Sequence, residues 1–544
     1  MNTEYDLIVI GGGPAGMAAA VQAREDGVER VLLAERNSYL GGILPQCIHD
    51  GFGLAEFGDL MTGPEYASAW IKTVKDAGVD CLTDATVTEI RRQQPSEADS
   101  AIPSEMCQKL SSAEAGQDSG GFILTVSSLS RGIEEYLCSF VILASGCRER
   151  SRGQLRIPGS RPAGVYTAGA VQYMMNIQNF RPGTTAVILG SGDIGLIMAR
   201  RMKWEGIRVR LLLGEKASGL WRNYIQCVKD WDIPIRFSST VVKIHGRKRL
   251  TGVTVAPENP DGTPDMSAAQ YIRCDLLVIA AGLIPELELW RKLRLSEGEH
   301  PELHLSEDEV SSQEAGFFLC GNAVKQYDTA DEVSDSGRRA GRAAALKIRK
   351  NEAVRHGSGK RQEFFPPSGT ASCRPAADLS ELPKLPRRAF GKQHVMTAQD
   401  LEYLSSGSGT AEDGSRIVYC ICCPKGCRMT VTAPDRNPDV RGFGCDAGRK
   451  YALQEVTAPK RIVTTTVAAA GRNDVLVPVR TGEAVEKSRV EEVLALCSRI
   501  RVALPVTAGE VLFRDVAGEG SGIDLICCAD CAGRETGRRK GAGQ

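Results

Sequence analysis

Two short glycine-rich segments constrain the fold of this chain more than any other feature. Residues 11–16 read GGGPAG and residues 190–195 read GSGDIG. Each follows an apolar run typical of a buried strand and precedes residues that favour a helix. A strand, a glycine turn and a helix in this order form the βα unit that binds a dinucleotide, because the glycines permit a tight turn close to a pyrophosphate. Two such units predict an α/β chain with two Rossmann-like domains.

The residues of these two loops are the first candidates for cofactor binding. The pyrophosphate is expected to rest on the N-terminus of the following helix, where free N–H groups and the helix dipole favour an anion. The predicted contacts are Gly11, Gly13, Pro14, Ala15 and Gly16 in the first loop, and Gly190, Gly192, Asp193, Ile194 and Gly195 in the second.

An acidic residue follows each loop at the distance that such a fold requires. Glu35 and Glu215 each end a second apolar run, about twenty residues past the loop, where a carboxylate accepts hydrogen bonds from ribose hydroxyls. An acid after the second loop favours NAD over NADP, because a 2′-phosphate would meet a negative charge. Lys216 and Arg222 nearby weaken that preference, so both NAD(H) and NADP(H) stay open.

Composition excludes several classes of function. The length of 544 residues predicts about three domains. The formal net charge of zero shows no excess of basic residues of the kind that binds nucleic acids. The sequence contains no run of eighteen apolar residues, so we expect no membrane span. The first residues do not have the pattern of a signal peptide, so we expect a cytoplasmic protein. Nine of the eighteen cysteines lie from Cys420 onward. In a chain without an export signal, so many cysteines favour reduced thiols and metal ligation over disulfides.

The first 350 residues resemble the two-dinucleotide flavoproteins related to pyridine nucleotide-disulfide oxidoreductases. The resemblance implies FAD on the first loop and NAD(P)H on the second. It implies an FAD-binding domain split into residues 1–164 and 275–350, around an NAD(P)-binding domain at 165–274. A polar segment from 91 to 121 is predicted to enlarge a hairpin loop. Further cofactor-binding residues are expected where strands end in glycine turns and at flavin motifs, namely Gly42, Ser145, Gly146, Gly282, Gly321 and Asn322.

The segment after the first acid departs from the family's dithiol branches. It reads GGILPQCIH over residues 41–49, with one cysteine where a Cys-x4-Cys pair would stand. This departure argues against a dithiol relay in this part of the chain. Cys47 and His49 are candidates for a catalytic thiolate–imidazolium pair. The alternative is that Cys47 packs under the flavin and His49 caps a turn. The segment looks like a subgroup associated with glycerol-3-phosphate or amine and opine dehydrogenases.

A cysteine cluster marks the C-terminal part of the chain. After a predicted linker at 351–416, the Cys-rich domain at 417–536 contains Cys420, Cys423, Cys427 and Cys445 in the spacing C-x2-C-x3-C-x17-C. Four thiolates can hold a 4Fe–4S cluster or a tetrahedral zinc ion. The pattern resembles the cluster segment of molybdopterin-dependent formate dehydrogenases and an uncharacterised Cys-Pro-x-Gly-Cys domain. Cys527, Cys528 and Cys531 are either a second metal or redox site or a surface thiol cluster.

These motifs predict an FAD-dependent, NAD(P)-linked oxidoreductase. Hydride would pass between nicotinamide and flavin, with onward transfer to an iron–sulfur cluster or a partner dehydrogenase subunit. One alternative is direct oxidation of a small polyol phosphate or amine at the flavin. Another is a docking subunit stabilised by zinc. We expect a small-molecule substrate, no nucleic acid and no membrane span, and oligomers stay possible.

Overall fold

A computed structural model describes most of the chain. It covers residues 3–93, 121–214, 216–296, 316–355, 414–432 and 438–532, together with 397, 400, 403, 404 and 410. Nearly all of the predicted hairpin loop, nearly all of the predicted linker, and Glu215 lie outside these described residues. Every cysteine within them is a free thiol, and none of their helices is long and apolar enough to cross a bilayer.

The first nucleotide region begins at the N-terminus, and most of its strands join one sheet. Its elements are β1 (Glu4–Ile10), α1 (Pro14–Glu25), β2 (Val31–Ala34), β3 (Asp50–Phe52), β4 (Met61–Thr62), α2 (Gly63–Asp76), β5 (Asp80–Leu82), β6 (Ala85–Arg92), β7 (Phe122–Ser128), β8 (Gly132–Leu143) and β9 (Cys147–Glu149). The sheet order is β5-β2-β1-β8-β7-β6. β6 and β7 pair antiparallel from Arg92 and Phe122, which confirms the hairpin around the predicted loop.

The second nucleotide region follows, and the chain then returns to the first. Its elements are β10 (Val165–Thr167), α3 (Ala168–Asn176), β11 (Thr185–Leu189), α4 (Asp193–Trp204), β12 (Arg208–Gly214), α5 (Trp221–Cys227), β13 (Ile235–Phe237), β14 (Ser239–Gly246), β15 (Leu250–Pro257), β16 (Gln270–Arg273) and β17 (Leu276–Ile279). A parallel sheet has the order β10-β17-β11-β12-β13. Because β17 belongs to it, the return falls after Ile279, later than the predicted residue 275.

The return passes through β18 (Leu283–Pro285), α6 (Glu288–Ser296), β19 (Phe317–Leu319) and α7 (Ala330–Arg355). β18 pairs with β9 to form the two-stranded connection between the regions, and β19 joins the first sheet beside β8. Two glycines of α7 pack directly on the backbone of α1. A Cβ atom on Gly337 would lie 2.1 Å from the carbonyl oxygen of Ala15, and one on Gly341 would lie 2.3 Å from that of Ala19. This contact fixes the helix that follows the first loop.

The C-terminal region forms its own sheets but shares a core with the second region. It comprises β20 (Arg416–Tyr419), β21 (Arg428–Thr432), β22 (Asp439–Arg441), α8 (Asp446–Thr457), β23 (Lys460–Arg461), β24 (Thr464–Ala469), β25 (Arg472–Thr481), β26 (Val485–Glu486), α9 (Val490–Cys497), β27 (Arg501–Val502), β28 (Val511–Phe513) and β29 (Leu525–Cys527). Its main sheet has the order β27-β24-β25-β29-β28. Buried side chains of α4 and α5 join those of β20, β24 and β25 in one hydrophobic cluster.

Candidate active site

One deep cleft lies between the first and second nucleotide regions. Its volume of about 1710 Å³ exceeds the space that a single drug-sized ligand needs, and both glycine loops line it. The loops stand at the carboxyl ends of parallel strands, which is where α/β sheets bind their ligands. The cleft therefore has the position and the size for two dinucleotides.

The two loops repeat the same close approach of backbone to backbone. Gly11 has φ +109°, and a Cβ there would lie 2.4 Å from the carbonyl oxygen of Ala144. Gly190 has φ +123°, and a Cβ there would lie 2.2 Å from the carbonyl oxygen of Ala280. Both backbone conformations and both contacts exclude a side chain, so glycine is required at the start of each loop.

The third glycine of each loop permits the helix to pack against the turn. A Cβ on Gly16 would lie 1.8 Å from the carbonyl oxygen of Gly11, and one on Gly195 would lie 2.1 Å from that of Gly190. Helices α1 and α4 start within each loop, so their N-termini face the cleft. A helix N-terminus in this position can bind an anion, and the pyrophosphate sites in the two loops stay predictions.

Most of the predicted cofactor-binding residues line this cleft. They are Gly11, Gly13, Pro14, Ala15, Glu35, Gly42, Ser145, Gly146, Gly190, Gly192, Asp193, Ile194, Gly282 and Asn322. Gly16, Gly195 and Gly321 are not among the lining residues. Gly321 packs against the first helix, where an added Cβ would lie 2.7 Å from the Cβ of Ala15.

Glu35 and Asp193, the two acidic residues among the described cofactor-binding candidates, have different partners. The Glu35 carboxylate accepts hydrogen bonds from the backbone N–H of Gly12 at 2.7 Å and of Asn37 at 2.8 Å, which holds it beside the first loop. Asp193 Oδ1 accepts from the backbone N–H of Leu220 at 2.7 Å and from Asn223 Nδ2 at 2.8 Å. Asp193 thus ties the second loop to α5, a role that the sequence did not indicate.

Cys47 and His49 lie in the cleft, but both are held neutral. Burial raises the pKa of the Cys47 thiol to about 12, and burial lowers the pKa of His49 to about 4. A thiolate–imidazolium pair needs the opposite charges on these groups. These values favour the alternative in which Cys47 packs in the cleft wall. His49 Nδ1 lies 3.0 Å from the carbonyl oxygen of Asp50.

A buried ion pair lies beside His49, and no local sequence pattern predicts it. Arg222 Nη2 lies 3.1 Å from Asp50 Oδ2, and the two side chains are 4% and 12% exposed. Burial raises the pKa of Asp50, but Arg222 and Arg200 outweigh it and hold the pKa below its ordinary value. The pair connects the loop of the first region to α5 of the second across 172 residues of sequence.

Amide and carboxyl side chains that no motif marks complete the cleft wall. Gln46 Nε2 donates to Gln172 Oε1 at 3.0 Å and to the carbonyl oxygen of Gly169 at 3.1 Å. Glu149 Oε2 accepts from the N–H of Gly169 at 2.8 Å, and burial raises the pKa of this carboxyl. Only the folded chain brings these residues together, because they come from three separate segments.

The predicted metal ligands converge around a single turn. A Cβ on Gly444 would lie 3.1 Å from Cys427 Sγ, and one on Gly448 would lie 3.5 Å from Cys420 Sγ and 4.0 Å from Cys445 Sγ. The thiols of Cys420 and Cys422 are hydrogen bonded, and Cys423 interacts electrostatically with its neighbours. Pro424, in the same loop, lines the cleft. Nonetheless, no three His, Cys, Asp or Glu side chains of the described ranges are placed to hold a metal ion.

Comparison with known proteins matches two parts of the chain to two family models. A family model described as Pyridine nucleotide-disulphide oxidoreductase matches residues 5–337, and one described as Protein of unknown function (DUF1667) matches residues 446–529. The HcnB subunit of hydrogen cyanide synthase from Pseudomonas protegens is 28% identical over 306 residues, which are 53% of this chain and 58% of that protein. An opine oxidase subunit from Agrobacterium tumefaciens is 30% identical over 207 residues, 37% of this chain and 35% of that protein.

A thioredoxin reductase structure from T. acidophilum superposes with a TM-score of 0.46 at 19% identity, covering 64% of this chain and 99% of that one. The chain spans only 58% of the length of the HcnB relative, so that relative's activity does not transfer as a whole. The family model covers more than half of the chain, with both glycine loops inside it. The protein therefore belongs to the pyridine nucleotide-disulphide oxidoreductase family.

Proposed function

We propose that FAD occupies the first loop, that NAD(H) or NADP(H) occupies the second, and that hydride passes between them within the cleft. The observation that carries the proposal is that two loops with the same glycine geometry line one cavity. When bound, the flavin would supply exchange of hydride with nicotinamide and of single electrons with an acceptor.

The chain's own groups supply binding, orientation and exclusion of water. The N-termini of α1 and α4 present N–H groups to the two pyrophosphates. The Glu35 carboxylate has remaining lone pairs for ribose hydroxyls. Cys47, which is buried, and His49, which is half-buried, limit the access of water in the cleft wall and are our candidates for contact with the reacting rings. The Asp50–Arg222 pair beside them holds the loop against the second region.

Anaerobic titration of the purified full chain tests this proposal directly. We expect bound flavin in the visible spectrum and bleaching of its bands by NADH or NADPH, with the preferred nucleotide acting at lower concentration. A protein without flavin, or with flavin that neither nucleotide bleaches, would overturn the proposal.

We also propose that a partner dehydrogenase subunit exchanges electrons with the flavin. Support comes from relatives whose names describe subunits, such as the opine oxidase protein and the alpha subunit of sarcosine oxidase from Rhizobium meliloti. The same names support an alternative in which an amine reduces the flavin directly. Direct oxidation of a small polyol phosphate is a further alternative, which rests on the sequence resemblance alone. Bleaching by such a substrate without nucleotide would favour the alternative. Bleaching by nucleotide alone, with turnover only after a redox dye is added, would favour the partner.

A 4Fe–4S cluster at Cys420, Cys423, Cys427 and Cys445 is the second candidate feature. Four thiolates have the donor chemistry for such a cluster, but the side chains are not placed as a metal-holding group, so we derive no electron-transfer step through them. If anaerobically purified protein contains iron and acid-labile sulfide, Cys423→Ser should remove both, whereas Cys422→Ser should not. Zinc without sulfide would indicate a docking role. If the protein contains neither iron nor zinc, both the cluster and the zinc site are excluded.

A further inference from the structure

The strand that begins at Thr464 meets the cleft loop, which we define as residues 46–50. Thr464 Oγ1 donates a hydrogen bond of 3.1 Å to the carbonyl oxygen of Ile48. Ile48 stands between Cys47 and His49, the two cleft residues closest to it in sequence. Thr464 is only 1% exposed. A hydroxyl of the C-terminal region is therefore bonded directly to the backbone of the cleft loop, away from solvent.

Arg201 of α4 reaches the same strand from the second nucleotide region. Its Nη1 donates to Thr465 Oγ1 at 2.9 Å, and its Nη2 donates to Thr466 Oγ1 at 3.1 Å. Arg201 is 4% exposed. A buried guanidinium is costly unless its donors are satisfied, so these hydroxyls fix the strand against α4.

Asn176 of α3 closes the network back onto the cleft loop. Its Oδ1 accepts from Arg201 Nε at 2.8 Å, and its Nδ2 donates to the carbonyl oxygen of Gln46 at 2.8 Å. The carbonyls on either side of Cys47 are thus held from two directions. Asn176 of the second nucleotide region binds the carbonyl of Gln46, and Thr464 of the C-terminal region binds the carbonyl of Ile48. Arg201 links these two regions, because it donates hydrogen bonds both to Asn176 and to the strand that begins at Thr464.

We propose that the C-terminal region is a positioning element: Thr464 holds the cleft loop, Thr465 and Thr466 hold Arg201 of α4, and together they fix the cleft loop relative to the second glycine loop. This inference rests on the proposed hydride transfer between the two loops. Hydride transfer depends steeply on the separation and alignment of the reacting rings, and a misplacement of about 1 Å can lower a rate roughly 100-fold. Thr464, Thr465, Thr466, Arg201 and Asn176 are positioning residues, since they act through the loop.

Thr464→Val in the full chain tests the inference, because valine keeps the shape and removes the hydroxyl. Thr464→Ser restores the donor. Thr481→Val is the matched control: Thr481 is fully buried in the same region, and its Oγ1 accepts from the backbone N–H of Val463 at 3.2 Å, within the C-terminal region itself. Two readouts apply to all three variants: the limiting rate of flavin reduction at saturating nucleotide, and the visible spectrum of oxidised flavin without nucleotide.

For Thr464→Val we expect a limiting rate lowered about tenfold or more, with nucleotide affinity within about twofold of wild type. The flavin spectrum should change shape, Thr464→Ser should restore both readouts, and Thr481→Val should leave both unchanged. Equal effects of the two valine variants, or failure of serine to rescue, would overturn the inference. If Thr464→Val does not fold, Thr466→Val, which removes one acceptor of Arg201, takes its place with the same criteria.

Wild-type flavin that no nucleotide bleaches would reject the proposed function, and the nucleotide-free spectrum would still decide the positioning role. A spectrum that changes in Thr464→Val and recovers in Thr464→Ser supports that role in either case. A spectrum that is the same in all variants, together with unchanged rates, rejects it.

Discussion

The two glycine loops have the same local geometry but different supports. The helix of the first loop is backed by α7 of its own region, where Gly337 and Gly341 leave the backbones in contact. The helix of the second loop is tied through Asp193 to α5, and Trp221 of α5 stacks on Tyr419 of the C-terminal region at 3.9 Å between ring centroids. The helix of the first loop is thus supported from within its own region, whereas the helix of the second loop also depends on the C-terminal region.

The largest expected effect comes from alanine at the third glycine of either loop. Gly16→Ala and Gly195→Ala place a Cβ within 1.8 Å and 2.1 Å of a backbone oxygen, so each loop must move. We expect a loss of about 3 kcal/mol or more of dinucleotide affinity, roughly 100-fold. Gly16→Ala should lose flavin, whereas Gly195→Ala should keep flavin but resist reduction by nucleotide. Flavin content and anaerobic reduction distinguish the two, and identical phenotypes would break the comparison.

Removal of the buried cation between the second and C-terminal regions should have the next largest effect. Arg461 Nε lies 2.6 Å from Asp230 Oδ2, and its Nη2 lies 2.7 Å from Glu455 Oε1. Arg461→Met should lower the free energy of unfolding by about 2–3 kcal/mol, at the low end for a broken buried pair because Lys487 still neutralises Asp230. Chemical denaturation measures this loss. The exposed Arg472→Met is the control, expected to change the free energy by less than about 0.5 kcal/mol.

The cleft loop should lose stability in mild acid. Burial lowers the pKa of His49 to about 4, below the ordinary value of about 6.5. Between these values the unfolded chain binds a proton that the folded chain does not, so stability is full above pH 6.5 and falls as the pH drops towards 4. The expected loss is on the order of 2 kcal/mol. Unfolding measured across this range should be less pH dependent in His49→Asn, and an unchanged dependence would contradict the assignment.

The smallest effect is expected where the C-terminal region contacts the first region. Arg480 Nε lies 2.7 Å from Glu65 Oε1, and the side chains are 23% and 16% exposed. Arg480→Met should lower the free energy of unfolding by at most about 1 kcal/mol, since partial exposure screens the pair. A loss larger than that of Arg461→Met would reverse our ranking of the two interfaces.

The local features of the fold were predictable because short segments determine them. Gly11 and Gly190 need positive φ within a strand-turn-helix unit, and that need is visible in a few neighbouring residues. The pattern of residues 331–350, rich in Ala, Arg and Gly, is typical of a helix, and α7 covers it from Ala330 to Arg355. The residue at which the second region ends was harder to predict from the sequence, because the apolar run at Leu276–Ile279 fits a strand of either sheet equally well.

The features that depend on distant partners were not predictable. Asp193 stands where a cofactor contact is expected, but its partners lie on α5. In the sequence, Arg222 is only a charge near the second acid, and no pattern pairs it with Asp50. The threonines of β24 resemble any β-branched strand, and their hydrogen bonds to Arg201 and Ile48 exist only after three regions have packed together. The proposed assignment of the cysteine cluster to a metal stays a prediction.

The contact between α7 and α1 also sets the order in which the chain can be completed during synthesis. Gly337 and Gly341 reach Ala15 and Ala19 only after the whole second nucleotide region has left the ribosome. That region has all five strands of its parallel sheet between Val165 and Ile279, so it can close first. The first loop, although made earliest, waits for a helix more than 300 residues away. Until then its apolar helix is exposed, and that interval is when the nascent chain is most prone to misassembly.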